Sequence, residues 1–516
     1  MTEVFPQRVA FGKRGVVASA HYKASEAGAA MFAAGGNAVD AAIATALTLG
    51  VCEPAASGLG GQTMMMLHVP GQRTVAIDGS SRAPHRTPPA ELEKEERLRG
   101  HRATTVPSTP AALAYVLERY GKLKWSKVLE PAIALCEDGF QVSALQHRLT
   151  LRELEHLRNG TAARFFLKDG KDPYEVGEVF RQPVLAGTLR RLAEQGVDDF
   201  YLGETARAIV ADMERNGGLL QLDDLAQVPR PVERRPVSGR FETMRVFSMP
   251  PAGAGRSLLH ILKLLEQFPE KRRRADTAEG AIVLAEVVRR AMLDRHDRPF
   301  DPNFFQQVQD RRLLDDDYAR VVARQIRARV RTSGETTHLS VMDADGCAVA
   351  LTQSIERVYG SFAASPELGF LYNNYMSAFE HSDISHPYFL RPNAVPWASV
   401  APTIVMQGKR PKVVLGSPGS ERIVSAVAQV LDRLRSQSLM DAISAPRLHT
   451  SVAGQVALEA SRMRSDIPKA LLRRGFTVRE VEPFSFYLGC VQAVARERDG
   501  MVGVADLRRD GAAVGA

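Results

Sequence analysis

The feature that most constrains the fold of this 516-residue chain is a strand pattern in its last third, which opens with two adjacent threonines, Thr336 and Thr337. Beyond them, Leu339 and Val341 alternate with polar residues, and β-branched side chains are frequent. This alternation is typical of a strand with one buried face. An Asp-Ala-Asp-Gly turn and a second strand-like run, residues 347–354, follow directly. The pattern therefore predicts a β-hairpin.

A pair of threonines at the edge of a strand is ordinary in itself, because β-branched residues favour extended backbone. Motifs elsewhere in the chain change that interpretation. They occupy residues 35–42, 57–61, 221–225, 248–251, 352–354, 373–374, 416–419 and 506–511. Together with residues 336–341 they resemble the γ-glutamyltransferase family of N-terminal-nucleophile hydrolases, and the resemblance spans nearly the whole chain.

The resemblance implies a precursor that cuts itself before a threonine. The cut would fall between Glu335 and Thr336, so that residues 1–335 become a large fragment and residues 336–516 a small one. Both fragments would form one α+β unit, an αββα sandwich in which two stacked, mainly antiparallel sheets are flanked by helices. The mature protein is then expected to be a heterodimer of its own fragments, or a dimer of such heterodimers.

The residue type at position 336 fits this chemistry without reference to the family. A threonine hydroxyl is a poor nucleophile at neutral pH until a base removes its proton. An α-amino group titrates near ~7.7–8.0, so a threonine at a newly formed N-terminus carries its own base. Thr336 would then supply both the nucleophile and the base, and activity should require maturation.

The resemblance places the other catalytic groups on two segments of the small fragment. Ser354 matches a second hydroxyl that hydrogen-bonds the nucleophile, with Thr337 and Thr352 in supporting positions. Gly419 and Ser420 match two successive glycines whose amides form an oxyanion hole, and a serine N–H can donate equally well. Two simpler interpretations stay open: ordinary strand residues at 352 and 354, and a helix-capping loop at 416–422.

The positions that bind the acyl group depart from the family pattern. The family's carboxylate-binding arginine falls on Ser80, with Arg82 two residues further on, and Glu356 replaces an asparagine. The remaining positions expected to contact the substrate are Asn374, Tyr375, Ala378, Ala398 and Ser399; at 375, 378 and 398 a polar or acidic family residue is missing. A hydrogen bond to a charged group contributes roughly 1.5–3 kcal/mol. These losses predict poor binding of a zwitterionic γ-glutamyl group.

The sequence therefore predicts an autoprocessing N-terminal-threonine amidohydrolase or acyltransferase that forms an acyl-enzyme with an acyl group other than γ-glutamyl. A genuine γ-glutamyl hydrolase or transferase acting on glutathione-like substrates is one alternative, and a catalytically silent binding homologue is another. Residues 380–391 replace the family's lid with a shorter segment containing His386, Tyr388 and Phe389. The aromatic residues of this segment favour an apolar or aromatic substrate, and they are equally typical of a loop that only packs against the rest of the protein.

Composition limits the partners and cofactors. The net charge of +8 is modest, and the basic run at 271–274 is expected to end a helix and enter a solvated loop rather than bind nucleic acid. The four cysteines lack metal-type spacing and are expected to be free, buried thiols. The histidines show no ligand spacing, and Gly253-x-Gly255 is too little for a dinucleotide fingerprint. A metal or cofactor is not expected.

The N-terminal residues are charged and interrupted by Pro6, without the apolar core of a signal peptide. The longest apolar stretch, residues 41–51, is too short to span a bilayer. We therefore expect a cytoplasmic protein that acts on a small-molecule amide and has no membrane partner.

Periodicity predicts the remaining elements. Strands are expected over residues 15–20, 64–69, 74–78 and 241–249, and helices over 26–34, 38–49, 110–120, 126–139, 184–194, 204–216, 256–266, 277–295 and 423–433. Ser25 and Asn37 are the expected N-caps of the first two helices. The middle of the chain should be helical and the last third rich in strands.

Overall fold

The computed structural model describes residues 7–88, 92–228, 231–297, 319 and 336–516. Glu335, on one side of the predicted cleavage site, lies outside the described residues. The strands within them are β1 Val9–Gly12, β2 Gly15–Ser19, β3 Gln62–His68, β4 Val75–Gly79, β5 Phe140–Gln141, β6 Val179–Phe180, β7 Val232–Arg234, β8 Val237–Phe241, β9 Met244–Ser248, β10 Thr337–Asp343, β11 Ala348–Ser354, β12 Thr403–Gln407, β13 Arg410–Gly416, β14 Leu448–Thr450, β15 Gln455–Leu458, β16 Thr477–Glu480, β17 Gln492–Arg496, β18 Met501–Ala505 and β19 Ala512–Gly515.

The helices of the described residues are concentrated between β4 and β10, as the periodicity predicts. They are α1 Tyr22–Ala33, α2 Ala38–Cys52, α3 Lys94–Leu98, α4 Thr109–Tyr120, α5 Trp125–Asp138, α6 Ala144–Arg152, α7 Leu154–Asn159, α8 Ala163–Phe166, α9 Pro183–Gln195, α10 Asp198–Leu202, α11 Glu204–Arg215, α12 Leu222–Ala226, α13 Gly255–Glu266, α14 Glu270–Arg273, α15 Ala278–Asp297, α16 Arg422–Arg433, α17 Leu439–Ser444 and α18 Asp466–Arg473. None of these helices is long and apolar enough to cross a membrane.

Two seven-stranded sheets, built from the described strands, form the centre of the fold. The threonine sheet has the order β19-β2-β10-β11-β3-β4-β7 and contains the predicted hairpin, β10 and β11. The loop sheet has the order β1-β18-β17-β13-β12-β9-β8. Neighbouring strands in both sheets are antiparallel.

Three apolar clusters define the layers. A methionine-rich cluster that includes Met64, Met342 and Met406 fills the space between the two sheets. The outer face of the threonine sheet packs on a second cluster, shared with α1, α2, α4 and α5. The outer face of the loop sheet packs on a third, shared with α13, α15 and α16. Helices thus cover both outer faces, and the predicted αββα sandwich is confirmed.

The β10 strand is buried on both faces, which corrects the prediction of a single buried face. All seven of its residues are buried. Leu339 and Val341 point into the cluster beneath the helices, whereas Met342 points between the sheets. The polar members of the alternation face the second sheet rather than water. The alternation of apolar and polar residues cannot show whether the polar face of a strand is buried or exposed, because both kinds of strand have the same sequence pattern.

Several element boundaries differ from the predictions. The first helix begins at Tyr22 and is capped by His21, because the Ser25 hydroxyl instead bonds Ser19 and the carbonyl of Ala512. The second is capped by Asn37 as predicted, and it extends to Cys52. The strand predicted over 241–249 is shorter: β9 begins at Met244, and Phe241 ends the preceding strand β8, which pairs with β9.

The basic run at 271–274 also differs from the prediction, since Arg273 is buried. It forms an ion pair with Glu242 and lies over the ring of Phe241, 5.5 Å from its centroid. Arg273 therefore contributes to packing beside the loop sheet, whereas Lys271, Arg272 and Arg274 are exposed, as the prediction of a solvated segment requires. The four cysteines are buried free thiols, as predicted.

A buried ionic cluster joins the small sheet β14-β15-β16 to the end of the loop sheet. Asp506, just after β18, contacts Arg447 at 2.6 Å and Arg508 at 3.0 Å, and Arg508 contacts Glu459 at 2.7 Å. All four side chains are fully buried. Burial alone would raise the pKa of Asp506, but the charges of Arg447 and Arg508 outweigh it and the pKa is lowered. Each charge of the cluster therefore has an opposite charge beside it, which offsets part of the cost of burial.

Replacing Glu459 with glutamine should leave Arg508 with reduced compensation in a fully buried setting. We expect the free energy of unfolding to fall by about 3–5 kcal/mol. Glu130→Gln, in an exposed pair with Lys127, is the matched control and should cost no more than about 1 kcal/mol. Denaturant unfolding of both variants measures the difference, and equal losses would contradict a stabilising role for the cluster.

Candidate active site

Two hydroxyls meet at the open end of the β10–β11 hairpin. Thr336 directly precedes β10, and Ser354 ends β11. The strand register pairs Thr337 with Gln353, so the next residues on each strand lie opposite one another. The Thr336 Oγ1 lies 3.4 Å from the Ser354 Oγ, and both residues are buried. The two residues that the sequence singled out as nucleophile and second hydroxyl are therefore neighbours in space.

The Ser354 hydroxyl is the centre of a small polar network. Its Oγ accepts a hydrogen bond from the Glu356 N–H at 2.8 Å. The buried Tyr375 phenol hydrogen-bonds with Ser354 and Gln62. Burial, reinforced by the Glu356 charge, raises the pKa of Tyr375 well above its usual range, so the phenol remains protonated. Tyr375, predicted as a substrate contact, is thus part of the support around Ser354.

The backbone of Thr336 is anchored from the other side of the chain. The Arg509 Nη2 donates to the Thr336 carbonyl oxygen at 2.9 Å. The Glu53 carboxylate, at the C-terminal end of α2, holds Arg509 through one oxygen and the Thr337 hydroxyl through the other. Glu53 and Arg509 therefore fix the backbone on which the threonine hydroxyl is carried. The Thr337 hydroxyl points toward this pair, on the opposite face from Ser354.

Thr352 shares the inner face of β11 with Ser354, but its hydrogen-bond partner is His338. The His338 Nδ1 lies 2.8 Å from the Thr352 Oγ1, and its Nε2 lies 3.1 Å from the Ser340 Oγ. The ring also abuts Gly416, at the end of β13: a Cβ atom added there would lie 2.3 Å from the His338 Cε1. Any support from Thr337 or Thr352 to Thr336 is therefore indirect.

The loop after Gly416 joins β13 to the first turn of α16. Gly419 and Ser420 have φ angles of 118° and 55°, in the left-handed region that favours glycine. Their carbonyls accept hydrogen bonds from Arg422 and Ile423. Among the described residues, the N–H groups of Gly419 and Ser420 have no hydrogen-bond acceptor. Two adjacent backbone donors at a helix start can stabilise a negatively charged oxygen.

Two of the eight non-glycine residues that have a positive φ angle among those the structure describes belong to this centre. Glu356 has a φ of 77°, and Ser420, where the family has glycine, has one of 55°. A residue with a side chain in this region costs on the order of 1–3 kcal/mol, and such residues cluster at functional sites. Both strained residues lie within two positions of a group predicted to act in catalysis.

The predicted acyl-binding residues divide into three groups. The Ser80 hydroxyl bonds Asp78 at 2.6 Å, and Arg82 donates to the carbonyl of Asn393 at 3.3 Å. Asn374 bonds the Leu98 carbonyl and the Arg357 N–H, and Ala378 ends the short 3₁₀ helix that begins at Tyr375. The third group is Ala398 and Ser399, whose carbonyl and hydroxyl oxygens, respectively, accept hydrogen bonds from Arg295.

Sequence reasoning missed Glu53, Arg509 and His338. Arg509 lies in the 506–511 motif and His338 in the 336–341 motif, but the sequence predicted no role for either residue. Glu53 carries no local signal, because its contact with Thr337 spans 284 residues of sequence. Within the described residues no group of three or more histidine, cysteine, aspartate or glutamate side chains could hold a metal ion.

His338 is unsuited to be a general base, and its protonation is linked to stability. Burial lowers the pKa of His338 from 6.5 to about 3. The unfolded chain therefore binds more protons than the folded chain between these values. The free energy of unfolding should consequently fall as pH drops from about 6.5, by about 1.4 kcal/mol per pH unit from this residue.

The His338→Gln variant tests this linkage, because glutamine does not titrate. Urea unfolding of both proteins at pH 7 and pH 4.5 should show the parent losing about 2–3 kcal/mol more than the variant over this interval. Parallel pH dependences would show that folding does not lower the pKa of His338.

The gamma-glutamyltranspeptidase family profile matches residues 24–516. A glutathione hydrolase proenzyme of Escherichia coli is 34% identical over 472 residues, covering 85% of this chain and 81% of the relative. An Acylase ACY 1 proenzyme of a Pseudomonas species is 32% identical over 539 residues, covering 98% and 94%. The crystal structure of a cephalosporin acylase from Bacillus halodurans superposes with a TM-score of 0.90 at 28% identity, covering 100% of this chain and 98% of that one.

These similarities run through both sheets and the hairpin that brings Thr336 to Ser354. The chain therefore belongs to the gamma-glutamyltranspeptidase family and is an N-terminal-nucleophile amide hydrolase or acyltransferase.

Proposed function

We propose that this chain cleaves itself between Glu335 and Thr336, and that its two fragments together transfer an acyl group from a small-molecule amide to water or an amine. The observation that carries the proposal is the pair of buried hydroxyls, Thr336 and Ser354, 3.4 Å apart. The loop with two unused backbone N–H groups, at Gly419 and Ser420, supports it.

The reaction would use the groups as follows. The α-amino group of a free Thr336 takes the proton from its own Oγ1, which attacks the amide carbon. The resulting oxyanion is stabilised by the N–H groups of Gly419 and Ser420. The ammonium then gives its proton to the departing amine, which leaves an ester between Thr336 and the acyl group. Water or a second amine, deprotonated by the same amino group, attacks the ester carbon. The bond between that carbon and Thr336 Oγ1 then breaks, the ammonium returns its proton to Oγ1, and the acyl product is released.

Ser354 and Arg509 would position the nucleophile rather than take part in bond making. Ser354 fixes the orientation of the threonine hydroxyl, and its own orientation is set by the Glu356 N–H and the Tyr375 phenol. Arg509 holds the Thr336 carbonyl, so that the strand end keeps its place once the chain is cut. Such positioning contributes to rate by keeping the reacting atoms aligned.

We further propose that the acyl group is not γ-glutamyl. Ser80 stands where relatives have a carboxylate-binding arginine, and its hydroxyl is engaged with Asp78. Tyr375 and Ala378 stand where polar or acidic residues would bind an α-ammonium, and the Tyr375 side chain is turned toward Ser354. The names of the Pseudomonas acylase and the Bacillus cephalosporin acylase agree with a non-glutamyl acyl group.

Hydrolysis of a γ-glutamyl amide is the second candidate function. It is favoured by the 34% identity to the Escherichia coli glutathione hydrolase proenzyme. For this chain to bind a γ-glutamyl group well, other side chains would have to replace the missing charge-assisted contacts.

A panel of p-nitroanilides that differ only in the acyl group tests these candidates. γ-Glutamyl, glutaryl, phenylacetyl and unbranched aliphatic anilides would be compared by kcat/KM, with Thr336→Ala as the background control. We expect γ-glutamyl to be at least tenfold poorer than the best acyl group, because each lost charged contact is worth roughly 1.5–3 kcal/mol. A γ-glutamyl optimum would establish the second candidate, whereas no release from any anilide would support a silent homologue.

A further inference from the structure

A cavity of about 530 Å³ with a strongly basic lining lies beside the candidate active site. Five of its lining residues are arginines, and Glu153 is its one acidic lining residue among those the structure describes. The arginines are Arg99, Arg152, Arg357, Arg422 and Arg479. We call this space the arginine cavity.

The arginine cavity borders both segments that build the candidate active site. Arg357 follows Glu356, whose N–H binds the Ser354 hydroxyl. Arg422 opens α16 three residues after Gly419. None of the eight positions predicted to contact the acyl group lines this cavity. Asn374, one of the eight, nevertheless bonds the cavity residues Leu98 and Arg357, so the cavity adjoins the predicted acyl-binding positions without including them.

The positive charge in the arginine cavity is only partly compensated. Arg99 pairs with Glu95 at 2.7 Å, and Arg152 pairs with Glu153 at 2.8 Å. Arg357 and Arg479, both exposed, form no ion pair with any described residue. Two like charges in one concave space repel, and a low-dielectric wall strengthens the field they create.

Aromatic contacts hold two of the arginines in place. The Arg422 guanidinium lies 4.2 Å from the centroid of the Tyr487 ring, and that of Arg479 lies 4.5 Å from the same centroid. Arg422 is buried at the N-terminal end of α16, and Arg479 is exposed. Tyr487 therefore fixes one buried and one exposed guanidinium group at the same wall of the cavity.

We propose that the arginine cavity binds an amine-side group with at least two negative charges, either a dicarboxylate or a phosphomonoester. This inference rests on the proposed function and names the half of the substrate that the acyl-binding residues leave undefined. Arginine suits both oxyanions, because its planar guanidinium pairs with two oxygens at once. Arg357 and Arg479, which have no carboxylate partner in the described residues, would make the main contacts.

Amides that share one acyl group and differ in the amine test this proposal. The acyl group would be the best of the anilide panel, and the amines 3-aminobenzamide, 3-aminobenzoate, 5-aminoisophthalate and 4-aminophenyl phosphate. We expect kcat/KM to rise by about tenfold for each added charge, and the rise should shrink with increasing salt. The last two amines distinguish a dicarboxylate from a phosphomonoester site.

The Arg357→Gln and Arg479→Gln variants should each lower the ratio of kcat/KM for the dianionic amide to that for the neutral amide by about tenfold. Arg410→Gln, at an exposed turn of the loop sheet, is the matched control and should keep the parent ratio. A parent ratio near one, or a ratio that neither cavity variant changes, would overturn the proposal.

Binding of free 5-aminoisophthalate by isothermal titration calorimetry separates this proposal from the proposed function. Binding by the parent that is lost in Arg357→Gln and Arg479→Gln supports the anion site even if no amide is hydrolysed, and in that case only the proposed function fails. Hydrolysis of amides without any binding of 5-aminoisophthalate would leave the proposed function in place and reject the anion site.

Discussion

The candidate site depends on one contact between the two sheets. Thr336 directly precedes β10 of the threonine sheet, whereas the loop with Gly419 and Ser420 leaves the loop sheet at Gly416. The ring of His338 lies between them, bonded to Thr352 and packed against Gly416 so closely that no Cβ atom would fit. A shift of either sheet would break this contact. The contact therefore holds the strand that follows Thr336 against the strand that leads into the loop with Gly419 and Ser420.

Charge is arranged in two distinct ways around this contact. Glu53 and Arg509 form a compensated pair that fixes the backbone of Thr336. The arginine cavity, in contrast, keeps Arg357 and Arg479 without ionic partners among the described residues. The compensated pair stabilises the structure, and the two cations without ionic partners are the groups that we propose for binding an anion. The protein thus places the arginine cavity next to the ion pair that fixes the backbone of Thr336.

How much of this could be predicted from the sequence depends on how local each signal is. The hairpin, the αββα architecture and the segments holding Thr336 and Ser354 follow from periodicity and from motifs that resemble the family. The burial of both β10 faces and the role of Arg509 could not be predicted, because they depend on which distant elements pack together. The burial of Arg273 was not predicted for the same reason. A run of basic residues is usually exposed to solvent, and the sequence does not show that Glu242 pairs with Arg273.

The central claim is that Thr336 becomes an N-terminal nucleophile by self-cleavage. Intact-mass spectrometry of the purified protein, beside Thr336→Ala and Thr336→Ser, tests it most directly. We predict that the parent chain of 56.5 kDa splits into fragments comprising residues 1–335 and 336–516, that the alanine variant stays whole, and that the serine variant still splits. A parent chain that remains whole, or an alanine variant that splits at the same bond, would contradict the account.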